Sequence, residues 1–194
     1  MRLDNWSCGI KHILRYVKQT RNYGLVYQKS GECMQAFCDA DWAGDTTDRK
    51  SFSGYVMTLG SAAISWSSKK QRTTALSTVE AEYLAMCHAG KELLWFQSFI
   101  EELGGRDFMK RPQVLLVDNQ GAIALTKNQV TSDRNKHIDI KYYFLREKIE
   151  EDKFQMQYIE SSKNCADLFT KVLSGTKTVE HCERLGVGNL ASVY

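Results

Sequence analysis

The stretch MQAFCDADWAGD, residues 34–45, places a short apolar run directly before three closely spaced carboxylates. Its first part has the composition of a β-strand, and its last part is polar and contains Gly44. A strand that ends in carboxylates has to solvate them, pair them with bases or bind a cation. The pattern therefore predicts a strand over Met34–Trp42, with Asp39 following the apolar run as the first candidate site residue.

Two more strand-like runs follow, SGYVMTL (53–59) and AAISWSS (62–68). They flank Gly60-Ser61, a dipeptide typical of a tight hairpin turn, so we predict three consecutive antiparallel strands. The segment Ser77-Thr78-Val79-Glu80 then matches a capping box, with Ser77 at the N-cap and Glu80 at N3. It predicts a helix that continues to Gly104-Gly105.

The second half of the sequence alternates strands with helices. QVLLVD (113–118) is a continuous apolar run, which is typical of a strand buried on both faces. After it we predict a short helix GAIALTKN (121–128), an amphipathic helix IDIKYYFLREKIEED (138–152), a strand FQMQYIES (154–161) and a closing helix NCADLFTKVL (164–173). The order β-β-β-α-β-α-α-β-α predicts an α/β fold with one mixed sheet, in which parallel additions follow three antiparallel strands.

The segment before the sheet has a different character. Apolar residues at helical spacing from Asn5 to Lys18 predict a helix, and a short strand begins at Gly24. The first 30 residues therefore look like a separate small unit.

Composition limits the class of protein. The 194 residues are 43% apolar and 25% charged, as in one ordinary globular domain rather than a disordered chain. No apolar run is long enough to span a membrane, and the first residues do not form a signal peptide, so we expect an intracellular protein, cytoplasmic or nuclear. The six cysteines lack zinc-knuckle spacing and are interpreted as free thiols in a reducing compartment.

A net charge of +3 is too small to indicate nucleic-acid binding by itself. The bases cluster in SSKKQR (67–72) and in DRNKHIDIK (133–141). On charge alone these clusters are either a phosphate-facing surface or solvated loops.

Four acidic residues have contexts that indicate a shared site. Asp39 and Asp118 end strands, Glu82 lies one turn inside the capped helix, and Asp167 lies near the start of the predicted closing helix. If the first and fourth strands are neighbours, Asp39 and Asp118 project from adjacent strand ends, where α/β sheets bind ligands. Converging carboxylates repel one another unless cations intervene, and oxygen ligands favour Mg²⁺ or Mn²⁺.

Each of these carboxylates also has a simpler interpretation. Asp167 favours the positive end of a helix, and Asp118 with Asn119 suits a turn before one. Glu80 has a capping role and needs no other. From the residues alone, a metal-dependent phosphodiesterase and a set of structural carboxylates both remain open.

Six motifs occur in order along the chain: CDADWAGD, GYVMTLGSAAISWSSKKQ, ALSTVEAEYLAM, VDNQGAIAL, NKHIDIKYYFLREKI and NCADLFTKVL. Together they resemble the ribonuclease H domain of copia-type LTR-retrotransposon Pol polyproteins, most closely those of plants. The resemblance covers about Met34 to Leu185. The preceding NWSCGIKHILRYVKQTRNYGLVY resembles the tail of the reverse transcriptase that adjoins this domain.

The resemblance implies a ribonuclease H-like fold with a mixed five-stranded sheet. It also implies hydrolysis of the RNA strand of an RNA–DNA hybrid by a two-metal mechanism, with two Mg²⁺ ions for which Mn²⁺ substitutes. The family's metal-binding and catalytic tetrad carries over to four positions: Asp39, Glu82, Asp118 and Asp167. Candidate phosphate contacts, weaker than the tetrad, are Lys69, Lys70, Arg72, Arg134 and Lys136.

The resemblance has departures: NCAD stands where NPAD is common, and Ser132-Asp133 stands where the family often has a histidine. Met1 falls inside the reverse-transcriptase-like tail, so we expect a fragment of an element, without the polymerase, protease or integrase. The expected division is a reverse transcriptase remnant over 1–30, a ribonuclease H domain over 31–175 and a tail over 176–194. The alternatives are a catalytically silent nucleic-acid-binding relic and a phospho-acceptor domain, although the latter does not explain Glu82 and Asp167.

Overall fold

The computed structural model of the chain describes residues 3–106, 109, 112–127 and 136–192, and the side chains of 3–8, 136–139 and 192 lie outside this description. The strands are β1 (Tyr23–Leu25), β2 (Gln35–Asp41), β3 (Phe52–Leu59), β4 (Ala62–Lys70), β5 (Gln113–Val117), β6 (Phe154–Tyr158) and β7 (Val187–Asn189). The α-helices are α1 (Leu3–Thr20), α2 (Thr78–Glu102), α3 (Gln120–Lys127), α4 (Lys136–Glu150) and α5 (Gly175–Arg184). Among the described residues, short 3₁₀ segments also occur at Ser161–Lys163, Cys165–Phe169 and Leu190–Ser192.

Five strands form a mixed sheet in the order β4-β3-β2-β5-β6. The β2–β3 and β3–β4 pairs are antiparallel, whereas β2–β5 and β5–β6 are parallel. The β3–β4 hairpin turns at Gly60, whose φ of +64° lies in the left-handed region that glycine tolerates. The predicted α/β class and mixed five-stranded sheet are confirmed.

Helix α2 begins and ends at the predicted signals. The Ser77 hydroxyl accepts a hydrogen bond from the Glu80 N–H at 3.1 Å. The Glu80 carboxylate accepts from the Leu76 N–H at 2.7 Å, one residue earlier than in the standard capping box. At the other end Gly104 has a φ of +78°, which terminates the helix.

The predicted closing helix over 164–173 is wrong in type. The chain forms instead a single 3₁₀ segment, Cys165–Phe169, named here the Asp167 turn. Asn164 explains the difference, because its side-chain oxygen accepts from the Ala166 N–H at 3.2 Å while its amide donates to the Cys38 carbonyl of β2 at 2.9 Å. The turn is thus attached to the sheet through its N-cap residue, Asn164.

Two elements appear where only a tail was expected. Helix α5 starts after Ser174, whose side chain accepts from the Lys177 N–H, and β7 follows it. Strand β7 pairs antiparallel with β1, near the other end of the chain, to form a second, two-stranded sheet.

Buried side chains fill both faces of the five-stranded sheet. The larger cluster joins the sheet to α2 and α4 through residues such as Tyr83, Met86 and Leu145, and the smaller joins it to the Asp167 turn through Phe37 and Val56. Five of the six cysteines are free thiols as predicted, and the side chain of Cys8 lies outside the described residues; the five are Cys33, Cys38, Cys87, Cys165 and Cys182. In the described residues no helix is both long and apolar enough to cross a bilayer.

Candidate active site

The carboxylates of Asp39 and Asp118 meet because β2 and β5 are parallel neighbours. Cys38 pairs with Val117 in this register, so the next residue of each strand lies at the same edge of the sheet. Asp39 is 0% exposed, whereas Asp118 is partly exposed just beyond the end of β5. The first and fourth of the strands predicted for this sheet, in chain order, are thus neighbours, which was the condition for the convergence of Asp39 and Asp118.

Asp167 reaches the same edge from the Asp167 turn, which packs on the opposite face of the sheet from α2. The hydrogen bond from Asn164 to β2 fixes the start of the turn. Gly54 of β3, which pairs with Asp39, leaves room for the turn, since a Cβ there would lie 2.7 Å from Thr170 Cγ2. The Asp167 side chain is consequently buried beside the strand that carries Asp39.

Asp39, Asp118 and Asp167 offer carboxylate oxygens that all lie within 4.8 Å of one another. Three carboxylates at this spacing repel one another unless positive charge lies among them. Hard oxygen donors at such spacing suit a divalent cation such as Mg²⁺ or Mn²⁺. By ligand type and spacing, the three aspartates fit the ion that the sequence pattern suggested.

Glu82 lies on the α2 side of this edge and is not part of the three-aspartate group. The glutamate is 7% exposed, and its Oε2 has no hydrogen-bond partner among the described residues. Burial, reinforced by the nearby charges of Asp39 and Asp118, raises the pKa of Glu82 to about 9. A buried carboxyl oxygen without a donor is the kind of group that a bound cation satisfies.

Two residues at the site were not singled out in the sequence, Thr170 and Lys171. The Lys171 ammonium lies 2.9 Å from Oδ1 of Asp39 and 2.9 Å from Oδ1 of Asp167, and the Thr170 hydroxyl donates to Oδ2 of Asp39. The four-residue spacing of Asp167 and Lys171 was a signal for one of these contacts. The contact with Asp39 joins residues 132 apart, which no local pattern indicates.

Burial and the neighbouring charges shift the pKa values of Asp39 and Lys171. Burial raises the pKa of Asp39, although Lys171 and Thr170 oppose that rise. Burial by itself would lower the pKa of the Lys171 ammonium. The carboxylates of Asp39 and Asp167 raise this pKa by more, so the net shift is upward. Lys171 is therefore protonated at neutral pH.

Asp41, the other carboxylate near the end of β2, has a local structural role. It accepts a hydrogen bond from the Phe52 N–H, the residue with which it pairs across the sheet. Its side chain also lies against Gly44, where any Cβ would clash with it. Asp41 thus holds the turn that follows β2.

The predicted basic contacts fall into three groups. Lys69 and Arg72 line a groove of about 320 Å³ between the end of β4 and α2. Lys70 also borders it, but its ammonium is paired with Asp45 at 2.5 Å and with Asp48 at 3.0 Å. Arg134 lies outside the described residues, and Lys136 is the first residue of α4 with its side chain not described.

Three further residues with basic side chains line the same groove and were not predicted as contacts: His88, Lys91 and Lys141. Two of them lie on α2 and one on α4, so only the fold brings them beside the end of β4. Burial lowers the pKa of His88, and the charges of Lys69 and Lys91 lower it further. The groove is consequently basic through its lysines and Arg72, while His88 adds a neutral donor or acceptor.

No protein-family model matches the chain. The retrovirus-related Pol polyprotein from transposon TNT 1-94 of Nicotiana tabacum is 40% identical over 182 residues, which are 94% of this chain and 13% of that protein. The corresponding polyprotein from transposon RE1 of Arabidopsis thaliana is 39% identical over 180 residues, 92% of this chain and 12% of that protein. The chain is homologous to one segment of plant transposon Pol polyproteins. It spans about an eighth of the length of these curated relatives.

Solved structures show which fold this Pol segment has. LC11-RNase H1, isolated from compost by a metagenomic approach, superposes with a TM-score of 0.52 at 16% identity, covering 72% of this chain and 93% of that one. The same enzyme in complex with an RNA/DNA hybrid gives a TM-score of 0.50 at 15% identity, over 71% of this chain and 93% of that one. The Pol segment therefore has a ribonuclease H-like fold.

Proposed function

We propose that this Pol segment is an endonuclease that hydrolyses the RNA strand of RNA–DNA hybrids in a reaction that depends on Mg²⁺. One observation carries the proposal: three aspartates from β2, the end of β5 and the Asp167 turn converge within 4.8 Å near Glu82, whose buried Oε2 has no hydrogen-bond partner among the described residues. This donor set suits hard divalent cations. Homology to transposon Pol polyproteins and the ribonuclease H-like fold support the same assignment.

Asp39, Asp118, Asp167 and Glu82 are the residues that would hold the cations. Two divalent ions, when bound, supply an activated water and stabilise the departing oxygen of a phosphodiester. The sheet keeps Asp39 rigid and dry, because the residue is fully buried within β2. Asp118 is partly exposed at the rim of the site, so its carboxylate would be accessible to a phosphate backbone.

The protein would bind the hybrid through its backbone and shape, with 2′-hydroxyl contacts marking the RNA strand. Lys69 and Arg72 are the best-placed of the predicted basic contacts, because they line the groove beside α2. Lys70 is the least suited, since Asp45 and Asp48 already neutralise its charge. In an intact polyprotein the partner would be the covalently linked reverse transcriptase, which produces such hybrids.

The test is a substrate panel with the purified chain and Mg²⁺. An RNA–DNA hybrid labelled on its RNA strand is compared with single-stranded RNA, duplex RNA and duplex DNA of the same sequence. We expect cleavage of the hybrid alone, inside the RNA strand, leaving 5′-phosphate and 3′-hydroxyl ends. Tight hybrid binding without cleavage would instead support the catalytically silent relic, and equal cleavage of all four substrates would exclude hybrid specificity.

A further inference from the structure

Lys171 lies between two of the carboxylates that are assigned to cation binding. Its ammonium makes two ion pairs of 2.9 Å, one to the buried Asp39 and one to Asp167. The Thr170 hydroxyl takes the other oxygen of Asp39. Each oxygen of Asp39 thus already has a donor, although Asp39 is one of the residues assigned to cation binding.

We propose that Lys171 is an intramolecular competitor of the divalent cation, which holds Asp39 and Asp167 together until a cation displaces its ammonium. An ammonium and a divalent ion that contact the same carboxylate oxygens repel each other strongly in a partly buried site. Both therefore cannot occupy the position between Asp39 and Asp167. This inference rests on the cation site of the proposed function, but on none of its catalytic steps.

The difference in solvent exposure indicates that Lys171, rather than Asp39, moves when a cation binds. The Lys171 side chain is 38% exposed, whereas that of Asp39 is 0% exposed. The flexible lysine can turn into solvent without disturbing the sheet, while Asp39 is held by β2. Cation binding is thus expected to release Lys171 and to leave the two aspartates in place.

Competition of this kind lowers the apparent affinity for cations. A ligand that binds only the minor, competent state has its affinity reduced by the fraction of molecules in that state. If Lys171 occupies the site in nine molecules of ten, its removal tightens binding about tenfold. A purely structural lysine would have no such effect, and it would keep its contacts when the cation binds.

The first test is isothermal titration calorimetry of the chelator-treated protein with MgCl₂ and with MnCl₂, without nucleic acid. We expect Lys171→Met to lower the dissociation constant about tenfold or more. The matched control is Lys163→Met, which removes the same charge from a side chain paired with Glu160 and should change the constant less than about twofold. Unchanged or weaker binding by Lys171→Met would overturn the proposal.

The second test needs no variant and therefore does not depend on how Lys171→Met folds. Wild-type protein is acylated with a lysine-reactive reagent in chelator and in saturating MgCl₂, and each lysine is quantified by mass spectrometry. We expect Lys171 to react several-fold faster with Mg²⁺, while Lys148, paired with Glu151 at 2.9 Å, stays constant. Equal or slower reaction of Lys171 with Mg²⁺ would overturn the proposal.

Both tests are separate from the nuclease assay. A protein that shows no hybrid cleavage can still show competition between Lys171 and Mg²⁺. Conversely, cleavage with no sign of competition would leave the proposed function standing and would remove only the role given to Lys171.

Discussion

Asp39 and Asp41 show how two like residues two positions apart acquire different environments. Alternation along a strand gives them the same face of β2, so periodicity cannot distinguish them. Asp39 is fully buried among Asp167, Thr170 and Lys171, whereas Asp41 accepts the Phe52 N–H at the edge of the turn. The sequence favoured Asp39 because it follows the apolar run directly, and Asp39 is the one of the two whose carboxylate lies close to those of Asp118 and Asp167.

The two aspartates should respond differently to substitution. We predict that Asp39→Asn lowers hybrid cleavage by about a hundredfold to a thousandfold or more, because a carboxylate assigned to the cations is lost. Asp41→Asn should reduce cleavage less, by no more than about a hundredfold, because changes to residues that support metal ligands typically cost about tenfold to a hundredfold. Cleavage rates and hybrid dissociation constants of both variants, measured on one labelled hybrid, check this. If Asp41→Asn is inactive while Asp39→Asn remains active, then Asp41 is the ligand and the assignment of Asp39 is wrong.

Glu82 gives the metal-free protein a pH-dependent stability. The pKa of Glu82 is raised from 4.5 to about 9 by burial and by Asp39 and Asp118, so the folded protein keeps a proton that the unfolded chain releases. The associated stability is complete below about pH 4.5 and is lost as the pH rises towards about 9. In chelator, we predict a smaller fall in unfolding midpoint over this range for Glu82→Gln than for wild type.

Glu80→Gln is the control for that measurement, because Glu80 caps α2 and a glutamine can still accept the Leu76 N–H. Its pH dependence should follow wild type, and it should keep hybrid cleavage, whereas Glu82→Gln should lose it. Parallel pH curves for wild type and Glu82→Gln would show that Glu82 does not carry the effect.

Among the elements, the contact between β3 and the Asp167 turn positions the third aspartate. A Cβ on Gly54 would lie 2.7 Å from Thr170 Cγ2 and 2.9 Å from Phe169 Cβ, so the turn would have to move away from the sheet. We predict that Gly54→Ala destabilises the protein by about 1–3 kcal/mol and lowers hybrid cleavage more than hybrid binding. Denaturant unfolding, cleavage and binding measurements check it.

Gly175→Ala is the matched control for Gly54→Ala, because a Cβ at this first residue of α5 would meet no atom of the described residues within 4 Å. It should leave stability and cleavage unchanged or slightly improved. If Gly54→Ala behaves like Gly175→Ala, the close approach of the turn does not set the position of Asp167.

Local signals predicted the elements that have them. Ser77, Gly104 and Gly60 each lie at the feature that they determine: the start of α2, its end and the β3–β4 turn. The Asp167 turn was predicted as an ordinary helix because its form depends on Asn164 bonding to β2, 126 residues away. Helix α5 has few apolar residues, and only its Ser174 cap and Gly186, with a φ of +70°, were signals of its ends.

For the candidate site, sequence alone indicated the four acidic positions but not their environment. Strand ends and the capping box separated Asp39, Asp118 and Glu82 from the other acidic residues. The ion pair between Lys171 and Asp39 forms only when distant segments pack, and so no spacing along the chain predicted that a base lies beside Asp39.

The first 30 residues consist of two parts that differ in how they contact the rest of the molecule. In α1 the apolar side chains of Ile13 and Leu14 are 61% and 62% exposed. In the segment after it, β1 pairs with β7 and the Tyr27 hydroxyl donates to the Ala63 carbonyl at 2.6 Å. We propose that the ribonuclease H-like unit begins near β1 rather than at residue 31.

Two truncations test this boundary. We predict that deletion of residues 1–20 leaves the free energy of unfolding nearly unchanged, because it removes only α1. Deletion of residues 1–30 should lower it by about 1 kcal/mol for each hydrogen bond lost with β7 and β4. Equal stability of both truncated chains in denaturant unfolding would restore the boundary at residue 31.

Single-turnover cleavage by wild type and by Asp118→Asn measures whether the converging carboxylates make this Pol segment a cation-dependent hybrid nuclease. Asp118 lies at the partly exposed rim, so its substitution removes charge repulsion and should not destabilise the metal-free fold. We predict that wild type cuts the RNA strand in Mg²⁺ but not in chelator. Asp118→Asn should bind the hybrid with similar affinity and cleave it at least about a hundredfold more slowly. Undiminished cleavage by Asp118→Asn, or by wild type in excess chelator, would show that cleavage does not depend on a cation bound by these carboxylates.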